Sequence, residues 1–137
     1  MSNERIHHFS NIFYVENQET ARCHQLLPGQ VVIVVRNRPR WIHFLCPCGC
    51  AEALAINIDP LSDSSWKLIQ EQQFNAISLM PSIWRTTNCE AHFVIWRNHI
   101  YFCDSDEDLP EDAVIELREE WRRIRANRHY SFCDEVY

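Results

Sequence analysis

Two short segments hold four of the chain's seven cysteines: Cys46-Pro47-Cys48-Gly49-Cys50 and Cys89-Glu90-Ala91-His92-Phe93. Thiolates spaced closely within each half, with a long gap between halves, are the pattern of a structural zinc site. Close spacing fixes two or three sulfurs at little entropic cost, and the second half closes the shell and ties distant strands together. Cys46, Cys48, Cys50 and Cys89 supply four sulfurs, and His92, three residues after Cys89, is an alternative fourth ligand. Alternate cysteines on a flat strand cannot all reach one tetrahedral ion, so Pro47 and Gly49 must bend the chain. The expected cofactor is one structural Zn2+. Cys23, Cys103 and Cys133 have no ligand-like neighbours and read as small buried hydrophobes.

The rest of the chain must hold these segments. Its 137 residues, 46% hydrophobic, suit one domain spanning 1–137. A formal charge of −6 argues against a nucleic-acid binder held by phosphate contacts. No apolar run approaches the roughly 18 residues of a membrane span, and Met1 to Ser10 carries no signal-peptide core. A cytoplasmic protein is expected, and an odd number of reduced cysteines favours metal ligation over disulfides.

The patterning predicts α+β: a small antiparallel sheet, a zinc-binding cysteine cluster and a C-terminal helix. Strands are expected at Asn11–Val15, Val31–Val35 (buried on both faces), Trp41–Leu45 and Ala53–Ile58. Trp66–Ile69 and Phe74–Met80 read as a pair, Pro81–Asn88 as a connection, and Phe93–Trp96 with Ile100–Phe102 as a hairpin. From Pro110 to Asn127 the period becomes helical, with Val114, Leu117, Trp121 and Ile124 on one stripe.

Three motifs in order resemble a family of small bacterial domains encoded with ubiquitin-like conjugation systems, the BubE-type proteases. They are Cys46-Pro47-Cys48-Gly49-Cys50, Pro81-Ser82-Ile83-Trp84 and Cys89-x-x-His92-Phe93, and the likeness covers roughly Val31 to Phe102. The resemblance implies a deubiquitinase-like peptidase that processes or releases a ubiquitin-like protein at its C-terminus. The family pattern at the last motif is Cys-x-Ser-His-Phe, and this chain has Ala91 where the serine nucleophile is expected. Ala91 has no hydroxyl and forms no acyl intermediate. The chain therefore reads as an inactive Ser-to-Ala form, either engineered or natural.

With a serine at position 91, catalysis needs a base and oxyanion donors. His92 is adjacent, but neighbours on a strand point to opposite faces, so it serves only if the chain bends. His43 is the second candidate base. Glu52, next to the knuckle, is placed to orient the base. Metal at Cys89 would fix the backbone amides near Ala91 as an oxyanion hole. Ser82 and Trp84 are expected to line a groove for the substrate's extended tail, and Ser82 is an alternative hydroxyl nucleophile that nothing nearby in the sequence activates. Two other readings compete. One is a zinc metallopeptidase with Glu52 as general base. The other is a non-enzymatic zinc module that binds a ubiquitin-like protein.

Overall fold

A computed structural model describes residues 4–62, 64–86 and 88–127. Two four-stranded sheets pack face to face. The first has the order β1-β2-β3-β4: β1 (Asn11–Val15), β2 (Gln30–Val35), β3 (Pro39–Leu45) and β4 (Ala53–Asn57). The second has the order β5-β6-β7-β8: β5 (Lys67–Glu71), β6 (Ala76–Trp84), β7 (His92–Trp96) and β8 (His99–Phe102). Helix α1 (Gln18–Cys23) lies on the first sheet and helix α2 (Glu111–Asn127) on the second.

Alternation along the strands builds the layers. Val31 and Ile33 of β2, with Ile42 and Phe44 of β3, point inward. They meet Ile77, Leu79 and Ile83 of β6 and Phe93 and Ile95 of β7 in one buried cluster. Val32 and Val34 point outward beneath Ala21 of α1, so β2 is buried on both faces, as its β-branched run predicts. Met80, Val94 and Trp96 form the outer face of the second sheet. Ala113, Leu117, Trp121 and Ile124 of α2 close over them. Ala113 takes the buried place expected of Val114, which is only half-buried.

The expected α+β class forms, with antiparallel strands, the cysteine cluster and a C-terminal helix, and three details differ. The strands divide between two sheets. β1 pairs parallel with β2, so α1 serves as the crossover that a parallel pair requires. The short α1 starts at Asn17, whose side chain accepts a 2.7 Å hydrogen bond from the Thr20 amide. β6 runs through Pro81 to Trp84 rather than ending at Met80, because its register with β7 is shifted between Leu79 and Ile83. That irregularity accommodates the proline in a strand interior. The β7–β8 hairpin forms as expected. Arg97 and Asn98 at its tip have φ of 49° and 69°, as the twist-matched two-residue turn demands. Among the described residues, no helix is long and apolar enough to cross a membrane.

Candidate active site and metal centre

β3 delivers Cys46 to the inner face of the first sheet, and the chain then turns through residues 47–50 before β4 returns. The Cys46 amide bonds the Glu52 carbonyl at 2.8 Å and closes this loop. Gly49, at φ 103°, takes a conformation that L side chains rarely adopt. The loop therefore bends as three alternate cysteines require. Cys89 approaches from the turn before β7. The sulfurs of Cys46, Cys48, Cys50 and Cys89 all lie within 4.8 Å of one another, and Cys46 and Cys89 are 3.7 Å apart. A zinc–sulfur bond of about 2.3 Å sets a tetrahedral edge of about 3.8 Å, so the donor set fits a tetrahedral ion.

The thiols are electrostatically unequal. Burial pushes Cys46 and Cys48 up, Cys48 to about 12. Burial also raises Cys89, but the Ala91 backbone amide and the neighbouring thiols outweigh it and bring Cys89 down to about 7. Arg85 completes the surroundings. Its guanidinium lies 3.3 Å from the Cys89 sulfur and 3.6 Å from that of Cys50. Its other nitrogen bonds Glu52 at 2.5 Å, and Asn88 also donates to Glu52 at 2.6 Å. Arg85 and then Asn88 hold the Glu52 carboxyl below its usual range. Glu52 is therefore spent on Arg85, and through it on the sulfurs.

A second constellation lies on the outer face of the second sheet. Trp84 and His92 are cross-strand partners, and their rings stack at 5.1 Å with 17° between planes. Alternation sends Leu79 and Ile83, four residues apart, to the core and turns Ser82 outward, onto the face that carries His92. Ser82 Oγ lies 3.0 Å from His92 Nε2. The Ser82 carbonyl accepts a 2.9 Å bond from the Trp66 indole, which fixes the serine's backbone from the β4–β5 connection. A hydroxyl within hydrogen-bond reach of an imidazole nitrogen is a geometry in which the ring can take the hydroxyl proton.

Residues 15–103 match the family described as "Bacterial ubiquitination-like system serine protease (BubE)". The chain belongs to the BubE family. No curated protein and no solved structure matches it. The matched span takes in both constellations and ends before α2.

The structure of this BubE chain sorts the predicted residues. It gathers the four cysteines and leaves His92 out of their group, on Ser82 instead. Ala91 is 8% exposed and its methyl belongs to the inner cluster, so positions 91 and 92 do face opposite ways. His43 is on the far side of the first sheet and bonds Gln18 of α1 at 2.6 Å. The alternation that sends Ile42 and Phe44 inward carries it away from both sites. Trp84 is 45% exposed beside Ser82. Cys23 and Cys103 are exposed, which corrects their reading as buried hydrophobes, and Cys133 lies outside the described residues. Sequence reasoning missed Arg85, Asn88 and Trp66. The only cue was Arg85, a cation four residues before a ligand cysteine.

Proposed function

We propose that this chain is a serine peptidase that processes or removes a bacterial ubiquitin-like protein at its C-terminus, with Ser82 as nucleophile and His92 as base. The observation that carries this reading is the 3.0 Å approach of Ser82 Oγ to His92 Nε2, in a chain of the BubE family. With the proton on Nδ1, Nε2 accepts the Ser82 proton as Oγ attacks the scissile carbonyl. The protonated imidazole then donates to the leaving amine or alcohol. Water, deprotonated by the same nitrogen, attacks the acyl-serine, and Ser82 regains its proton. The Ser82 backbone N–H, in the stretch of β6 whose register with β7 is shifted, is the candidate oxyanion donor. Trp84 lines the approach for the extended tail.

Ala91 is then a packing residue, and alanine there removes no nucleophile. This reading replaces the inactive Ser-to-Ala form, because a serine at position 91 would point into the core cluster. The cysteines hold one Zn2+, which supplies a cross-link between the knuckle and the turn before β7. Four thiolates around a dication leave a net charge of −2, and Arg85 offsets part of it. A zinc-activated water needs an open coordination position, whereas four sulfurs close the shell. The working unit is the domain 1–137, and the compartment is the cytoplasm, where thiols stay reduced.

The test is labelling of the zinc-loaded protein with a fluorophosphonate, followed by peptide mass analysis. The adduct is expected on Ser82 and absent from Ser82→Ala and His92→Gln. A folded, zinc-loaded protein that takes no label and does not cleave a ubiquitin-like fusion would be a binding module, and the peptidase reading would fall.

A further inference from the structure

The outer face of the second sheet continues into a groove that the acyl-transfer chemistry does not use. It begins beside the candidate dyad. Val94 follows His92 on that face, Tyr101 pairs with Val94, and a cleft of about 550 Å³ runs between them and the loop before α2. Leu109 and Val114 line this cleft and also a second one of about 570 Å³ along α2. The two are therefore one channel. From Val114 to Arg125 it follows the helix for about 17 Å at the usual rise per residue.

The far half of the channel is apolar at its base and basic at its rim. Leu117 and Trp121 form the base, and Arg118, Arg122 and Arg125 line the edge, with no carboxylate among the lining residues. The chain as a whole carries −6, so this concentration of cations is local. The helix's own carboxylates are turned elsewhere. Asp112 pairs with Arg97 at 3.4 Å, Glu116 with Lys67 at 3.9 Å and Glu120 with Arg123. Arg122 holds only the exposed Glu119, and exposed pairs exchange partners at little cost. Arg125 lies over the Trp121 ring, 5.8 Å from its centre. The Trp121 indole nitrogen is buried and has no acceptor among the described residues.

We propose that this groove docks an acidic segment with an apolar anchor, carried by the ubiquitin-like substrate protein. The proposal rests on the peptidase reading for the identity of the carrier, while the docking chemistry stands on the groove itself. Carboxylates meet the three guanidiniums, and a leucine-sized side chain fills the apolar base. Glu107 and Asp108 line the near cleft, so the acidic segment is held in the far half and the near cleft is left to an uncharged stretch of the same partner. Complementary charge of this kind raises encounter rates and selects partners.

The experiment uses a fluorescein-labelled acidic peptide of alternating Glu-Asp-Leu triplets as probe, read by anisotropy, with a lysine-for-acid peptide as control. The variants are Arg118→Glu/Arg122→Glu/Arg125→Glu and the corresponding triple change to Gln. The wild type is expected to bind the acidic probe and not the control. The Glu variant should lose at least tenfold in affinity and the Gln variant less. KM for a ubiquitin-like fusion should rise at least tenfold in the Glu variant, with hydrolysis of p-nitrophenyl acetate unchanged. Equal probe binding by wild type and both variants, or an unchanged KM, overturns the proposal. Arginine-dependent probe binding in a protein that hydrolyses neither substrate leaves docking standing and removes the peptidase reading instead.

Discussion

Exchanging the residues at positions 82 and 91 tests the nucleophile directly. Ser82→Ala deletes the one oxygen that lies 3.0 Å from His92 Nε2. Removing the nucleophile of an acyl-transfer dyad lowers kcat by at least about 10³-fold. The same change gives up one hydrogen bond, roughly 1 kcal/mol, and so about 4 °C in Tm for a chain of this size. Ala91→Ser does the opposite. Its hydroxyl enters a cluster that includes Cys46, Ile83 and Phe93, at a site 8% exposed. An unpaired buried hydroxyl costs about 1–3 kcal/mol, or roughly 4–12 °C. Alternation sends His92 to the other face, so a serine at 91 would lack that base and activity should stay within about twofold of wild type. The assay is cleavage of a ubiquitin-like fusion, with calorimetry on the same preparations. The double variant should be as inactive as Ser82→Ala alone. If Ala91→Ser raises kcat tenfold or more while Ser82→Ala leaves it unchanged, the assignment of Ser82 is refuted.

Removing the metal should unfold more than the knuckle. Structural zinc contributes on the order of 10 kcal/mol to small domains, so a chelator or Cys46→Ser should lower Tm steeply and abolish fluorophosphonate labelling of Ser82. A metal assay reading one zinc per wild-type chain and less than half that for Cys46→Ser would accompany this loss. Acid should destabilise the protein through His43, whose pKa is lowered by burial first and then by Arg22. A depressed histidine contributes stability that is complete above the unfolded value, about 6.5, and is lost as the pH falls from there toward the folded value. Denaturant titrations between pH 7.5 and 5 should show that decline in wild type, and a shallower one in His43→Gln.

The elements that the sequence made legible are those whose burial pattern is local. The valine and isoleucine run of β2 is continuous because α1 covers one face and the second sheet the other. The knuckle was legible because its ligands fall within five residues. The Ser82–His92 approach was not, because it is a property of register. Two strands separated by a turn had to be paired, with Trp84 opposite His92, before Ser82 and His92 became neighbours on one face. A proline at position 81 made that stretch read as a connection, and the shift is what lets the strand continue. His43 failed in the opposite way. It is close to the knuckle in sequence, but alternation sends it to the other side of the sheet. The short α1 offered six residues of weak periodicity, with Asn17 as its only start signal.

The two constellations are joined by the same two chain segments. Residues 82–85 carry Ser82, Trp84 and Arg85, and residues 89–92 carry Cys89, Ala91 and His92. The Arg85 amide bonds the Ala91 carbonyl at 2.7 Å and locks these segments to each other. Arg85 then reaches the sulfurs of Cys50 and Cys89, so one residue fastens the end of β6 both to the start of β7 and to the metal centre. On the opposite face of these strands, Trp84 stacks on His92 and Ser82 meets its ring. Gathering the four sulfurs therefore also ties the segment that carries Ser82 to the segment that carries His92. The sulfur group is built wholly of cysteine, and His92, three residues after Cys89, is turned by alternation to the other face of the strand, onto Ser82.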